Sequence, residues 1–427
     1  MQLTGWPCAM AAGFSGTEIR AAPAGALVDG WRAVAVTPWS PYVGAAALVV
    51  VLTVLMTTGQ FWGIFGGLRL WGDWFNNAIG LGPWLGVASD LESPLSQRMS
   101  LMNAALVVGA AVAAIGAGQF TINRAPPLEY VWAACGGTLM GVGAALAGGC
   151  TTGGFFTPVI HASPAGWAMA LGLMIGAAAG LKLLLWTFDH VSWGMTPPTA
   201  WDDRRWRGAL PWLGVALALG MVLWISNWAL SGNARLTARA AVVAAGFAIG
   251  IVMQRSRLCI ARAFREPFMT AEGEMTKAVI LALALAMPIA AWLFAGKAMD
   301  PYIAIPPTFW IGSLAGGVLF GIGMVFAGGC ASGALWRMGE GHLKLWMATF
   351  AFAWAGSTFA AVVRRWSLLT PEQNLDTMLD ETLVGTQVFL PDALGHWAWA
   401  LLAAYAALAV WYGLVRYNEA TEKFTLI

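Results

Sequence analysis

Three cysteines stand where a thiol could do chemistry. Cys150 and Cys330 each close a Gly-Gly-Cys triplet that runs on into a small polar stretch, GGCTTG and GGCASG. Cys259 sits inside QRSRLCIARAFREP, among Arg255, Arg257, Arg262 and Arg265. A thiol is a weak hydrogen-bond donor and a soft, polarisable atom, better matched to sulfur or selenium than to phosphate or sugar. Guanidinium groups attract anions, and backbone N–H groups at a helix start add to that pull. Thiols along a path with arginines at its mouth point to a small sulfur-containing anion as cargo. The candidate substrate-binding residues are Cys150, Cys330, Cys259, Gly149, Gly329, Thr151, Arg257 and Arg265. The plainer alternatives are a cysteine that only fills space and arginines on a solvated loop. Space-filling is the reading for Cys8 and Cys135, which have no repeat partner.

The elements that must position these residues come in two copies. Residues 136–154, GGTLMGVGAALAGGCTTGG, and 316–334, GGVLFGIGMVFAGGCASGA, share ten of nineteen positions at a constant shift of 180. Such a register marks an internal duplication. In each copy an apolar helix carries glycines four apart, Gly137/Gly141 and Gly317/Gly321, a spacing that lets helices approach closely in lipid. Gly172, Gly176 and Gly180 form another such face. The triplet then breaks the helix in an apolar region, which is tolerated only where the backbone is buried in protein or lines a cavity.

Charged residues make up 10% of the chain against 59% hydrophobic ones, and the mean hydropathy is +0.68, the balance of a polytopic membrane protein. Apolar runs near 41–58, 99–119, 130–148, 164–186, 209–229, 236–254, 275–298, 308–328, 343–362 and 396–414 predict nine or ten spans plus short re-entrant helices. The chain divides into a surface or interfacial segment 1–40, a first membrane repeat 41–200, a second 201–414 and a tail 415–427, with the joint inside the polar stretch 187–208. A weaker first motif precedes each triplet. Setting Phe264-Arg265 against Leu68-Arg69 places Gly63 opposite Cys259. Matched motifs are five helices apart, and an odd offset turns the second half upside down. This inverted-topology repeat of an all-α fold should bring one motif of each kind in from each face, with the two triplets meeting near the centre.

Several classes fall away. A net charge of +2 offers no nucleic-acid surface. The five cysteines make no CxxC pair, and the four histidines have no ligand spacing, so neither a metal nor another cofactor is expected. A membrane-embedded thiol sulfurtransferase is the rival reading. It needs a base or resolving thiol beside the nucleophile. His161 and His342 follow the triplet cysteines by eleven and twelve residues, too far for local pairing, and read as ordinary loop histidines.

The paired GGC-T/S-G motifs, with QRSRLC…AFR ahead of the second, resemble the YeeE/YedE family of sulfur-transport membrane proteins over roughly residues 41–414. The resemblance implies a multi-pass protein of the bacterial inner membrane, hourglass-shaped, that takes up thiosulfate, with some members linked to selenium. It implies that Cys150, Cys330 and Cys259 pass the ion along by transient S–H contacts. It leaves a soluble sulfur-carrier protein as a candidate partner. The chain departs from the pattern at Gly63, where a pathway cysteine is expected.

Overall fold

The computed structural model describes residues 35–191, 199–201, 210–297, 299–367, 372–373 and 380–426. Residues 38–427 form one compact unit; of the other, 1–37, only the last three residues are described. Nearly all of the expected surface segment 1–40, with Cys8, and much of the joint 187–208 lie outside the described residues.

Apart from single turns at Gly82–Leu85, Pro301–Ala304 and Leu390–Ala393, the first seven helices among the described residues are α1 (Pro41–Thr57), α2 (Phe65–Ala78), α3 (Arg98–Gly116), α4 (Pro127–Leu146), α5 (Thr151–Phe156 in π geometry, running into Thr157–Ile160), α6 (Pro164–His190) and α7 (Leu210–Ala229). The next seven are α8 (Ala234–Ser256), α9 (Ile260–Met269), α10 (Glu274–Ala295), α11 (Ile311–Ala327), α12 (Ala331–Glu340), α13 (Leu343–Arg365) and α14 (Trp397–Thr421). Among the described residues strands are confined to pieces of two or three residues. Among the described residues nine helices are long and apolar enough to cross a membrane, and α1, at 17 residues, is a shorter apolar tenth. The protein is an all-α polytopic membrane protein, as its composition requires. Side-chain caps with proline at the first turn set several starts: Ser40 ahead of Pro41, Ser163 ahead of Pro164.

The two sets of seven correspond in order and in packing. The α6 helix packs on α11 as α13 packs on α4, and α3 on α8 as α10 on α1. At the centre α4 and α11 pack on each other. A Cβ on Gly136 would fall 2.5 Å from the Gly323 carbonyl oxygen, and one on Gly323 would fall 2.5 Å from that of Gly136. Gly143 and Gly316 show the same reciprocity at 2.6 and 2.5 Å. Position 136 lies by 323 and position 143 by 316, so the two helices run antiparallel. Since 316 is the repeat mate of 136, and 323 of 143, each contact is the image of the other. That is an inverted repeat, read directly from its axis.

One expectation fails. The two Gly-Gly-Cys triplets do not adjoin; they lie at opposite ends of the α4–α11 pair. Gly148 lies against Pro306, just before α11 begins. Gly328 lies near Lys344, whose ammonium reaches Glu129 in the first turn of α4. Each triplet ends its helix, and antiparallel helices end on opposite faces. The short helices that follow, α5 and α12, do touch each other.

Glycine rows set how near the helices come. A Cβ on Gly176 of α6 would sit 2.2 Å from the Val318 carbonyl oxygen of α11. Gly176→Leu should therefore lower thermal stability by about 1–3 kcal/mol or more, the range for overpacking. Gly220 of α7, with open space around it, is the control. Thermal unfolding of the purified variants checks this; equal melting of Gly176→Leu and Gly220→Leu would contradict it.

Candidate functional site

At the first-half end, Gly148 adopts a left-handed conformation (φ +72°) and stops α4. Thr308 Oγ1 donates to the Ala147 carbonyl at 3.0 Å and ties this end to the start of α11. A Cβ on Gly149 would lie 2.5 Å from the Gly153 carbonyl carbon, so the turn itself requires the second glycine. Cys150 caps α5 and is fully buried, with its Sγ 3.0 Å from Thr152 Oγ1. Thr151 Oγ1 is buried without a hydrogen-bond partner. Against this turn lies a cavity of about 580 Å³ lined by Gly63, Gly149, Gly153, Arg69 and Arg364 among others. Cys150 is absent from the lining; the thiol sits behind a floor of glycine.

A buried polar network sets the two arginines. Ser357 Oγ donates to Asp73 Oδ1 at 2.5 Å, and Asn76 Nδ2 donates to Ser357 Oγ at 2.9 Å. These bonds hold α2 to α13, and so bring Arg69 of the one and Arg364 of the other to the same cavity.

At the opposite end Gly328, left-handed at φ +81°, stops α11, and Cys330 caps α12. Cys259 caps α9. Both thiols are fully buried, and both lie against Gly333. Cys330 Sγ also accepts from the Gly333 N–H at 3.4 Å and lies 3.4 Å from Ser332 Oγ. A Cβ on Gly333 would fall 2.8 Å from Cys259 Sγ and 3.3 Å from Cys330 Sγ, so a missing side chain is what lets the thiols converge. The guanidinium groups of Arg265 and Arg337 are within electrostatic reach of Cys259. Arg265 Nε is buried without a partner. Arg337 Nη1 donates to the Gly328 carbonyl at 3.0 Å, and the group stacks over Trp336.

The structure thus brings together Cys259, Cys330 and Arg265 at one end, and Cys150, Thr151 and Gly149 at the other. Gly329 has room about it, with its nearest neighbours 3.7 Å from a Cβ. Arg257 is placed differently. Its Nη1 donates to Glu340 Oε1 at 2.6 Å and its Nη2 to Gln119 Oε1 at 3.3 Å. The Glu340 side chain is only 5% exposed, so Arg257 neutralises a buried carboxylate. Gly63 stands where the repeat alignment put it: the nearest atom to a Cβ on Gly153 is Gly63 Cα at 3.9 Å, as Cys259 is nearest to Gly333. His161 is buried against Phe294, its Nδ1 donating to the Thr157 carbonyl at 2.8 Å. His342 lies 3.6 Å from Glu340. Neither imidazole is bonded to a thiol. Arg69, Arg337, Arg364, Thr152 and Ser332 escaped sequence reasoning. Arg69 was legible as the repeat mate of Arg265, and Thr152 and Ser332 as the hydroxyls two residues past each cysteine.

Residues 5–179 and 255–426 match the family described as Sulphur transport. The chain belongs to this family. It is 28% identical to the "Probable transporter YedE" of Salmonella typhimurium over 330 residues, 72% of this chain and 77% of the relative. The protein of the same name from Escherichia coli gives 28% over 325 residues, with the same coverage. The "Thiosulfate transporter TsuA" of Escherichia coli is 36% identical over 108 residues, 25% of this chain and 30% of that one. The relatives are transporters, and this member of the sulphur-transport family is a multi-pass membrane transporter, not an enzyme.

The two ends differ in what faces the small helix, and that difference can be read chemically. Mild oxidation of membranes should cross-link Cys259 to Cys330 and leave Cys150 free. Gly333→Ala should suppress the cross-link severalfold by prising the thiols apart, whereas Gly153→Ala should leave Cys150 alkylation unchanged. Peptide mass mapping reads both; a Cys150 cross-link, or a Gly333→Ala variant that cross-links like wild type, would contradict the geometry.

Proposed function

We propose that this transporter carries thiosulfate, a small sulfur-containing dianion, across the bacterial inner membrane by way of its buried thiols. The observation that carries the reading is the convergence of Cys259 and Cys330 over Gly333 within reach of Arg265 and Arg337. A soft terminal sulfur matches a thiol, and a charged oxyanion end matches a guanidinium. The cavity holding Arg69 and Arg364 offers the ion an entry from the other face. Cys150, behind the glycine floor, is the intermediate donor, and the touching helices α5 and α12 link it to the thiol pair. The name of the TsuA relatives supports thiosulfate over other sulfur anions. On this reading the repeats are α1–α7 and α8–α14, each supplying one end of the path, and the joint falls at 230–233 after α7 rather than within 187–208.

The reading is tested in sulfur-starved cells that lack their own thiosulfate uptake, complemented with this chain. Growth on thiosulfate is the expected result, and failure to grow with the protein inserted would overturn the substrate. In the same cells Cys150→Ala, Cys259→Ala and Cys330→Ala should each cut uptake about ten- to hundredfold, since a lost bond to a charged group costs about 1.5–3 kcal/mol. The lipid-facing Cys135, exposed on α4, is the control and should transport normally as Ala. Wild-type uptake by all three buried-thiol variants would exclude a thiol path. A stable persulfide on Cys330 after incubation with thiosulfate would instead favour sulfur transfer over transport.

The arginines act by raising local anion concentration, which salt screens. Arg69→Gln and Arg364→Gln should weaken uptake more at low than at saturating thiosulfate, and more at low ionic strength. Initial-rate uptake curves check this; a fall in the maximal rate alone would contradict it.

A further inference from the structure

Beside the first-half cavity lies a second one of about 580 Å³ that the transport path does not use. It opens between the starts of α3 and α8, which run parallel: a Cβ on Gly246 would meet the Met102 carbonyl oxygen at 2.4 Å, and one on Gly250 that of Leu106 at 2.1 Å. Its lining includes Arg98, Arg235, Arg239, Gln60 and Gln97, with Glu92 as the one carboxylate. Arg98 is the first residue of α3, and Arg235 and Arg239 stand one turn apart at the start of α8. Among the described residues none of the three guanidinium groups makes an ion pair or a side-chain hydrogen bond.

That arrangement runs against electrostatics. A helix start carries positive partial charge and favours acidic side chains, yet neither first turn holds one. Two positive helix ends and three cations face one concavity at the edge of a low-dielectric slab. A local rule broken without compensation inside the chain marks a place where something else supplies it. We propose that the cavity is a second anion site, built for a tetrahedral phosphate- or sulfate-type group held by Arg98, Arg235 and Arg239. Guanidinium groups bind such oxyanions with paired N–H donors, and Gln60 and Gln97 add neutral ones. Phe61, Met99 and Ile303 wall both this cavity and the one holding Arg69 and Arg364, so occupancy here adjoins the entry without sharing its arginines. The group can come from an anionic phospholipid headgroup or from free oxyanion in solution. The site does not depend on thiosulfate being the cargo.

The experiment uses the full chain purified in neutral detergent at low ionic strength. One arm titrates inorganic phosphate; the other adds phosphatidylglycerol, with phosphatidylcholine as the neutral control. Thermal unfolding is followed for wild type, for the triple variant Arg98→Gln/Arg235→Gln/Arg239→Gln, and for Arg69→Gln/Arg364→Gln. Wild type and the Arg69/Arg364 variant should melt higher with phosphate, with phosphatidylglycerol or with both, and the triple variant should lose that rise. A response confined to phosphatidylglycerol identifies a lipid headgroup, and one confined to phosphate a free ion. Without anion the triple variant should melt no lower than wild type, because repulsion has been removed. Should it melt lower, the exposed Arg98→Gln alone gives the reading, as at least a halved response. No anion response in wild type, or an equal response in wild type and the variants of this site, overturns the proposal.

Discussion

Everything in this fold hangs on the backbone-to-backbone approach of α4 and α11. Carbonyl oxygens of one helix lie where a side chain of the other would be, at Gly136, Gly143, Gly316 and Gly323. In lipid no hydrophobic effect drives helices together, so close van der Waals contact carries the association, and only glycine allows it at this distance. Because the four glycines are two pairs of repeat mates, the contact is also the axis about which one half is inverted onto the other. Flanking rows, Gly172–Gly176–Gly180 on Gly317–Gly321 and Gly137–Gly141 on α13, extend the same packing outward.

An inverted repeat gives each face the same backbone device: a left-handed glycine, a capping cysteine, a short re-entrant helix and a hydroxyl two residues on. What the faces do not share is the residue that looks at this device. Gly63 leaves the first-half end open to a cavity with two arginines, while Cys259 fills the second-half end with a second thiol. Backbone symmetry with side-chain asymmetry suits a path that takes an anion from water at one end and hands it between thiols towards the other.

Much of this was written in the chain. The shift of 180 exposed the duplication, and the odd helix offset exposed its inversion. Even the weak match that set Gly63 against Cys259 holds in space, since Gly63 lies beside Gly153 as Cys259 lies beside Gly333. Direction was harder to read. Arg257 and Arg265 look alike in QRSRLCIARAFREP, but one is drawn to a carboxylate eighty-three residues away on α12, Glu340, and the other stays by the thiol. Arg364, just past the apolar run 343–362, stands in the last turn of α13 and lines the first cavity. Side-chain partners of this kind depend on which helices pack together, and neither periodicity nor composition carries that. The failed expectation of adjoining triplets has the same root: inversion places equal motifs at opposite ends, and a one-dimensional repeat does not say how far apart those ends lie.

The central claim is that the buried thiols meet the anion on its way through. The direct measurement is the rate of alkylation of Cys150, Cys259 and Cys330 by a membrane-permeant maleimide in sealed vesicles, with thiosulfate or with sulfate at equal ionic strength. If the thiols form the path, thiosulfate slows alkylation of all three while sulfate, lacking the soft terminal sulfur, leaves them near their unprotected rates. Equal rates in the two anions, or protection of Cys135 alone, would contradict the account.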